Sequence, residues 1–179
     1  MAVRDFALPI RRIGSLGRST GSALPLEVGV DIHERVQLRL SQEDPSYRSE
    51  IPLSLGLTGA VYEFKIRGRC DGEFGGDSPL IEEIKSSFGI VALKKALANE
   101  PDHPYILQLK MYGFIYLKKK GLTPKLQLRL VDSRTLEEDV WPLDYDHESF
   151  SQWVKERQAQ IEENLLRYRA LIKTRKALA

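Results

Sequence analysis

Hydrophobic and polar positions divide the chain into strands and helices of recognisable period. Leu26, Val30, Val36 and Leu40 recur at helical spacing, which predicts a helix from Leu26 to Leu40 with His33 on the same inward stripe. A strand is expected over Tyr47 to Leu55, then a turn at Gly56 to Gly59, then a strand starting near Ala60. From Ile66 to Phe74 the residues alternate in character, as in a half-buried strand. Gly75-Gly76-Asp77-Ser78-Pro79 is a dense cluster of turn residues, and Leu80 to Ser86 is a second strand-like run. Folding this hairpin symmetrically about Asp77 sets Phe74 against Leu80 and Cys70 against Ile84, making one apolar face. On the other face Asp71 comes opposite Glu83, with Lys85 two residues on and on Glu83's side. Glu82 falls on the apolar face in this register.

A helix is expected from Ile90 to Asn99. Asp102-His103-Pro104 has the form of a helix start, and that helix runs to Lys120 and stops at Gly121. Pro124 to Val131 reads as a strand, and Glu138 to Leu143 as another at a sheet edge, because Pro142 cannot donate to a ladder. From Asp146 a long amphipathic helix carries Phe150, Val154, Ile161, Leu165, Tyr168 and Ile172 on one side. Residues 1–25 are rich in Gly, Ser and Arg and read as an arm or irregular lead-in; residues 26–179 read as a single domain. The resulting fold class is α/β, a mixed sheet flanked by helices.

Composition narrows this picture only in places. A chain of 179 residues is long enough for one domain with a real core. The net charge of +2 does not by itself indicate a nucleic-acid partner. Arg4, Arg11, Arg12 and Arg18 face only Asp5 near the start, and Lys173-Thr-Arg-Lys176 is basic too, but basic termini are commonly just solvated. Cys70 is the single cysteine, which excludes an intrachain disulfide, a Cys-rich zinc site and an iron–sulfur cluster. No apolar run approaches membrane-spanning length, and the start lacks a signal-peptide pattern, so a cytoplasmic protein with no membrane partner is expected.

The hairpin concentrates the chemistry. Two carboxylates opposed across a strand pair repel, and a divalent cation between them turns that cost into a binding site. Asp71 and Glu83 offer the hard oxygens that Mg²⁺ or Mn²⁺ prefers, and the Ile84 carbonyl can add another. Lys85 beside the cation can hold a water and offset charge on a phosphate. His33 is a further ligand if its helix packs over the carboxylates. Gln108 and Tyr112 lie one turn apart on one helix face, within reach of Lys85 or a phosphate. Arg67 and Arg69 share the strand face of Asp71 and are candidate phosphate contacts, the alternative being that they only balance the local acids. Taken singly, His33 reads as a core histidine, Gln108 and Tyr112 as a packing face, and Glu83 with Lys85 as a charged strand surface. Together they point to phosphodiester hydrolysis.

Gly68-x-x-Asp71, Glu83-x-Lys85 and Gln108-x-x-x-Tyr112 resemble, in order, the motifs of the PD-(D/E)XK nuclease superfamily in its RecB-like branch. Gly29-x-x-x-His33 resembles that branch's upstream histidine motif, and the resemblance spans about residues 26–131. It implies a restriction-endonuclease-like core and a metal-dependent deoxyribonuclease; an exonuclease is favoured over an endonuclease, with cutting from an end or internally left open by the sequence. It further implies that His33, Asp71, Glu83 and the Ile84 carbonyl bind Mg²⁺ or Mn²⁺. Lys85 would be catalytic with Asp71 and Glu83, while Gln108 and Tyr112 support site and substrate. The implied partners are DNA, as single strands or duplex ends, and a helicase or a larger repair, recombination or defence complex. Cys70 stands where the superfamily name has proline, and the iron–sulfur cluster of many relatives is excluded. The rival expectation is a non-catalytic nucleic-acid-binding or assembly module that keeps the fold.

Overall fold

A computed structural model describes residues 1–9 and 26–177. In chain order the elements are α1 (Val3–Ala7), α2 (Leu26–Glu43), β1 (Tyr47–Thr58), β2 (Glu63–Phe74), β3 (Leu80–Ser87), α3 (Ile90–Asn99), α4 (Pro104–Lys120), β4 (Lys125–Asp132), β5 (Glu138–Leu143) and α5 (His147–Ala177). The five strands form one sheet in sequence order. β3 and β4 are parallel, and every other neighbouring pair is antiparallel. The parallel step needs a crossover, which α3 and α4 provide. The expected mixed sheet flanked by helices is therefore present.

α4 is the spine of the larger core. It is buried over most of its length, from Ile106 to Tyr116, and packs with Ile66, Ile81, Leu126, Leu128 and Leu130 of the sheet. Its ends follow from local chemistry. The His103 ring accepts from the backbone N–H of Tyr105 (3.2 Å), Pro104 occupies the first turn, and Gly121 closes the helix in the left-handed region at φ 73°. α2 covers the opposite sheet face through a smaller cluster of Ile32, Val36 and Leu40 with Tyr47, Ile84 and Val131.

Three expectations change. β1 continues through the predicted turn to Thr58, because Gly56 and Leu57 pair with Lys65 and Phe64. The first residues of the lead-in are helical: Val3, Phe6 and Ala7 form a short apolar stripe buried against the core. Arg157 of α5 donates from Nε to the Phe6 carbonyl (2.8 Å), supplying a partner that so short a helix lacks. The remainder of the lead-in, including Arg11, Arg12 and Arg18, lies outside the described residues. The apolar stripe of α5 is buried only at Phe150, Val154 and Ile161, whereas Leu165 and Tyr168 are 41% and 54% exposed. Near that departure point Glu162 accepts from the backbone N–H groups of Ala60, Val61 and Tyr62 at 3.1, 2.7 and 2.7 Å, tying α5 to the β1–β2 turn.

Candidate active site

Asp71 sits at a fault in the sheet. Along β2, Phe64, Ile66 and Cys70 face the α4 side. Three residues after Cys70, Glu73 faces that side as well and accepts from Tyr116 Oη of α4 (2.7 Å). Strict alternation would send positions 70 and 73 to opposite faces, so the strand flips between them. β1 flips at the same level: Tyr47 faces α2, Ile51 and Leu53 face α4, and Glu50 between them has φ 56°. The ladder pairs Ser49 with Gly72 and Ile51 with Cys70 and leaves Glu50 and Asp71 out.

The β2–β3 pairing obeys the predicted register from Phe74–Leu80 to Gly72–Glu82 and ends there. Asp71 is consequently not a ladder partner of Glu83. Its Oδ2 instead accepts the backbone N–H of Ile84 (2.7 Å) as the strands part. The expected Cys70–Ile84 apolar pair is replaced for the same reason: Cys70 belongs to the α4-side core and Ile84 to the α2-side cluster. Burial pushes the Cys70 thiol well above its ordinary range. Glu82 shares Ile84's side as the register requires. It is 0% exposed, and its Oε2 is held by Arg129 Nη2 (2.8 Å), Arg129 Nε (3.0 Å) and Gln127 Nε2 (2.5 Å).

Two glycines make room for aromatic rings on either side of Asp71. A Cβ at Gly68 would stand 2.7 Å from Tyr112 Oη, and one at Gly72 would stand 2.5 Å from the Tyr47 ring. The Gly68–Tyr112 spacing seen in the sequence is thus a contact between strand and helix. Gly72 and Tyr47 are its counterpart on the other face, which sequence reasoning missed.

β3 alternates regularly, so Glu83 and Lys85 project together toward α4. Glu83 Oε1 accepts from Lys85 Nζ (2.7 Å) and from Gln108 Nε2 (2.6 Å). Gln108 Oε1 lies 3.5 Å from the same Nζ, and Lys85 rests 4.9 Å over the Tyr105 ring. Glu83 Oε2 is buried with no hydrogen-bond partner. Burial, opposed by the Lys85 ammonium and assisted by the charge of Asp71, pushes the Glu83 carboxyl up to about 7. Burial alone would lower the Lys85 pKa, but the charges of Glu83 and Asp71 outweigh it and the net direction is up.

α2 reaches the site from the opposite face. His33 Nδ1 is 3.7 Å from Asp71 Oδ2. One turn later Gln37 Nε2 donates to the Asp71 carbonyl (2.9 Å) and to Glu50 Oε1 (3.2 Å). Tyr47 Oη lies 3.5 Å from the same carbonyl. Sequence reasoning missed Gln37, although its place four residues after His33 puts it on the same helix face. Arg67 and Arg69 are exposed on β2 and do not join the cluster; Arg69 Nε pairs with Glu50 Oε2 at 3.2 Å.

The donor set suits a hard cation bound by few protein ligands. Among the described residues no three His, Cys, Asp or Glu side chains gather into a metal-holding group. Mg²⁺ does not need one, because it keeps several waters and is commonly held by one or two carboxylates. An orphaned, buried Glu83 oxygen is the acceptor such an ion would satisfy.

No protein-family profile matches the sequence, and no curated protein does either. Solved structures do resemble it. The protein SSO0001 superposes with TM-score 0.60 at 17% identity, over 89% of this chain and 75% of its own. The alkaline exonuclease LHK-Exo of Laribacter hongkongensis superposes with TM-score 0.59 at 15% identity, over 100% of this chain and 94% of its own. The chain shares its overall fold with these proteins. LHK-Exo in complex with dAMP gives 0.56 at 18% identity, over 89% of this chain and 77% of its own. In this fold the parted ends of β2 and β3, flanked by α2 and α4, carry Glu83 with Lys85 and Gln108 on one side and Asp71 with His33 on the other, the two groups joined through the Ile84 N–H.

Proposed function

We propose that the chain is a divalent-metal-dependent deoxyribonuclease of the PD-(D/E)XK superfamily, RecB-like branch, acting from DNA ends. The observation that carries this reading is the buried Glu83–Lys85–Gln108 cluster with a free carboxylate oxygen, next to Asp71 and His33. Glu82 Oε1 of the Arg129 pair is unpartnered too, so what sets Glu83 apart is its place beside Lys85, Gln108 and the Asp71–His33 pair.

Asp71 and Glu83, with His33 and the Ile84 carbonyl, would hold Mg²⁺ or Mn²⁺. When bound, the ion supplies Lewis acidity toward a phosphate oxygen and a water of lowered pKa. Lys85 keeps its proton, since its pKa is raised, and so presents an ammonium that orients water and meets charge developing on the phosphate. Gln108 fixes both members of the pair, donating to Glu83 while facing Lys85. Tyr112 packs onto Gly68 and holds β2 at the level of the site. The exonuclease neighbours, one of them complexed with dAMP, support end-directed DNA cleavage. The setting in repair, recombination or defence beside a helicase rests on the sequence resemblance.

The test uses end-labelled linear DNA, single- and double-stranded, and a closed circle, with Mg²⁺, Mn²⁺ or EDTA. The expected result is release of mononucleotides from linear DNA with metal only, and an intact circle. DNA binding without any cutting, equal in metal and EDTA, would mark a non-catalytic binding module instead.

A further inference from the structure

The open face of β2 carries a row of cations that ends at the candidate site. Lys65, Arg67 and Arg69 occupy alternate positions, opposite in direction to the buried Phe64, Ile66 and Cys70, and all three are exposed. Alternate residues of a strand stand about 6.6 Å apart, twice the rise per residue. That is close to the separation of successive phosphates along an extended nucleic-acid strand. Their partners across the ladder are Gly56, Ser54 and Pro52, none acidic and none large enough to shield the row. Lys119 of α4 reaches the sheet edge and lies 3.5 Å from Ser54 Oγ, adding a fourth cation beside Arg67. The acids against the row are Glu63, exposed on the same face two residues before Lys65, and Glu50, whose exposed pair with Arg69 is of the kind worth at most about 1 kcal/mol and readily exchanged for a phosphate. The next odd position after Arg69 is Asp71.

We propose that the outer face of β2 from Lys65 to Arg69 is a track that holds the sugar–phosphate backbone of a single DNA strand and leads it to Asp71. The direction of travel rests on the nuclease reading; the track itself does not. A flat row of cations with small neighbours recognises backbone charge and not base identity, so binding is indifferent to sequence and strongly dependent on salt. The strand would arrive on the α2 side of the sheet, the side from which His33 approaches Asp71.

The experiment is fluorescence anisotropy of a labelled single-stranded oligonucleotide and of its duplex across a salt series in EDTA, where no cutting interferes. The Lys65→Gln/Arg67→Gln/Arg69→Gln protein is expected to bind more weakly. Its slope of log affinity against log salt should be shallower by about 2, at about 0.7 for each single-strand phosphate no longer neutralised. Arg67→Lys/Arg69→Lys should keep the wild-type slope. Lys155→Gln/Arg167→Gln/Lys173→Gln, which removes the same charge from exposed positions of α5, should keep it too. The track is overturned if the β2 variant keeps the wild-type slope, or if the α5 variant loses as much. A slope reduced on duplex and retained on single strand overturns the single-strand assignment. Wild-type protein that cuts DNA while the β2 variant binds normally sinks the track alone; wild-type protein that neither binds nor cuts sinks the nuclease reading with it.

Discussion

Replacing Lys85 by methionine should make the metal-free protein's stability depend more steeply on pH. The Glu83 side chain is 3% exposed and that of Lys85 16%, so water screens the pair little. The folded-state pKa of Glu83, about 7, stands above the ordinary 4.5. The folded protein therefore keeps a proton that the unfolded chain gives up, and stability present below about pH 4.5 is lost as pH rises through 7. At about 1.4 kcal/mol per unit, that interval corresponds to a loss of up to about 3 kcal/mol. The Lys85 ammonium limits the loss by pulling the Glu83 pKa down. Lys85→Met removes that pull, extends the window upward and continues the decline above neutrality. At acid pH Glu83 is neutral in both proteins, so the variant's deficit should be small. Toward pH 9 it should approach the roughly 3–5 kcal/mol of a broken buried pair, capped by protonation of Glu83. Urea unfolding in EDTA at acid and alkaline pH measures this directly, with Glu83→Gln as the control that flattens the profile. A Lys85→Met deficit that is constant with pH, or that shrinks as pH rises, would refute the reasoning.

Other consequences are equally concrete. Gly72→Ala drives a methyl into the Tyr47 ring, so it should cost about 1–3 kcal/mol in urea unfolding, and the same change should cost less when made in a Tyr47→Ala background. Phe6→Ala should destabilise by about 3–5 kcal/mol, which equilibrium unfolding would show; an exposed arm would lose nothing. Hydrogen bonds from Val61 and Tyr62 hold the Glu162 carboxyl below its ordinary range, so the stability it contributes is present at neutral pH and lost as pH falls. Glu162→Ala should lower the melting temperature at neutral pH and narrow its difference from wild type in acid.

Much of this was legible in the chain because the residues that build the site obey simple periods. Glu83 and Lys85 project together since β3 alternates without interruption, and Gln108 meets them since Pro104 and Gly121 bound one regular helix. Asp71 was legible as a residue but not as a geometry. Its position depends on a simultaneous flip in β1 and β2, and a glutamate at φ 56° leaves no mark in a hydrophobic pattern. The five residues of α1 are too few for a helical period to stand out among arginines, glycines and serines. The stripe along α5 continues to Ile172 in sequence, yet a stripe does not state where its partner ends. Gln37 was hidden because its ligand is a main-chain carbonyl, to which no side-chain pattern points.

The central claim is that Asp71, Glu83 and Lys85 form one hydrolytic site. The most direct measurement is the rate of nucleotide release from end-labelled DNA with Mg²⁺, comparing wild type with Asp71→Asn and Lys85→Met proteins that melt cooperatively and still bind DNA in EDTA. The predicted result is metal-dependent release by wild type and a fall of about 100-fold or more in both variants. Undiminished release by folded Asp71→Asn or Lys85→Met protein would contradict the account.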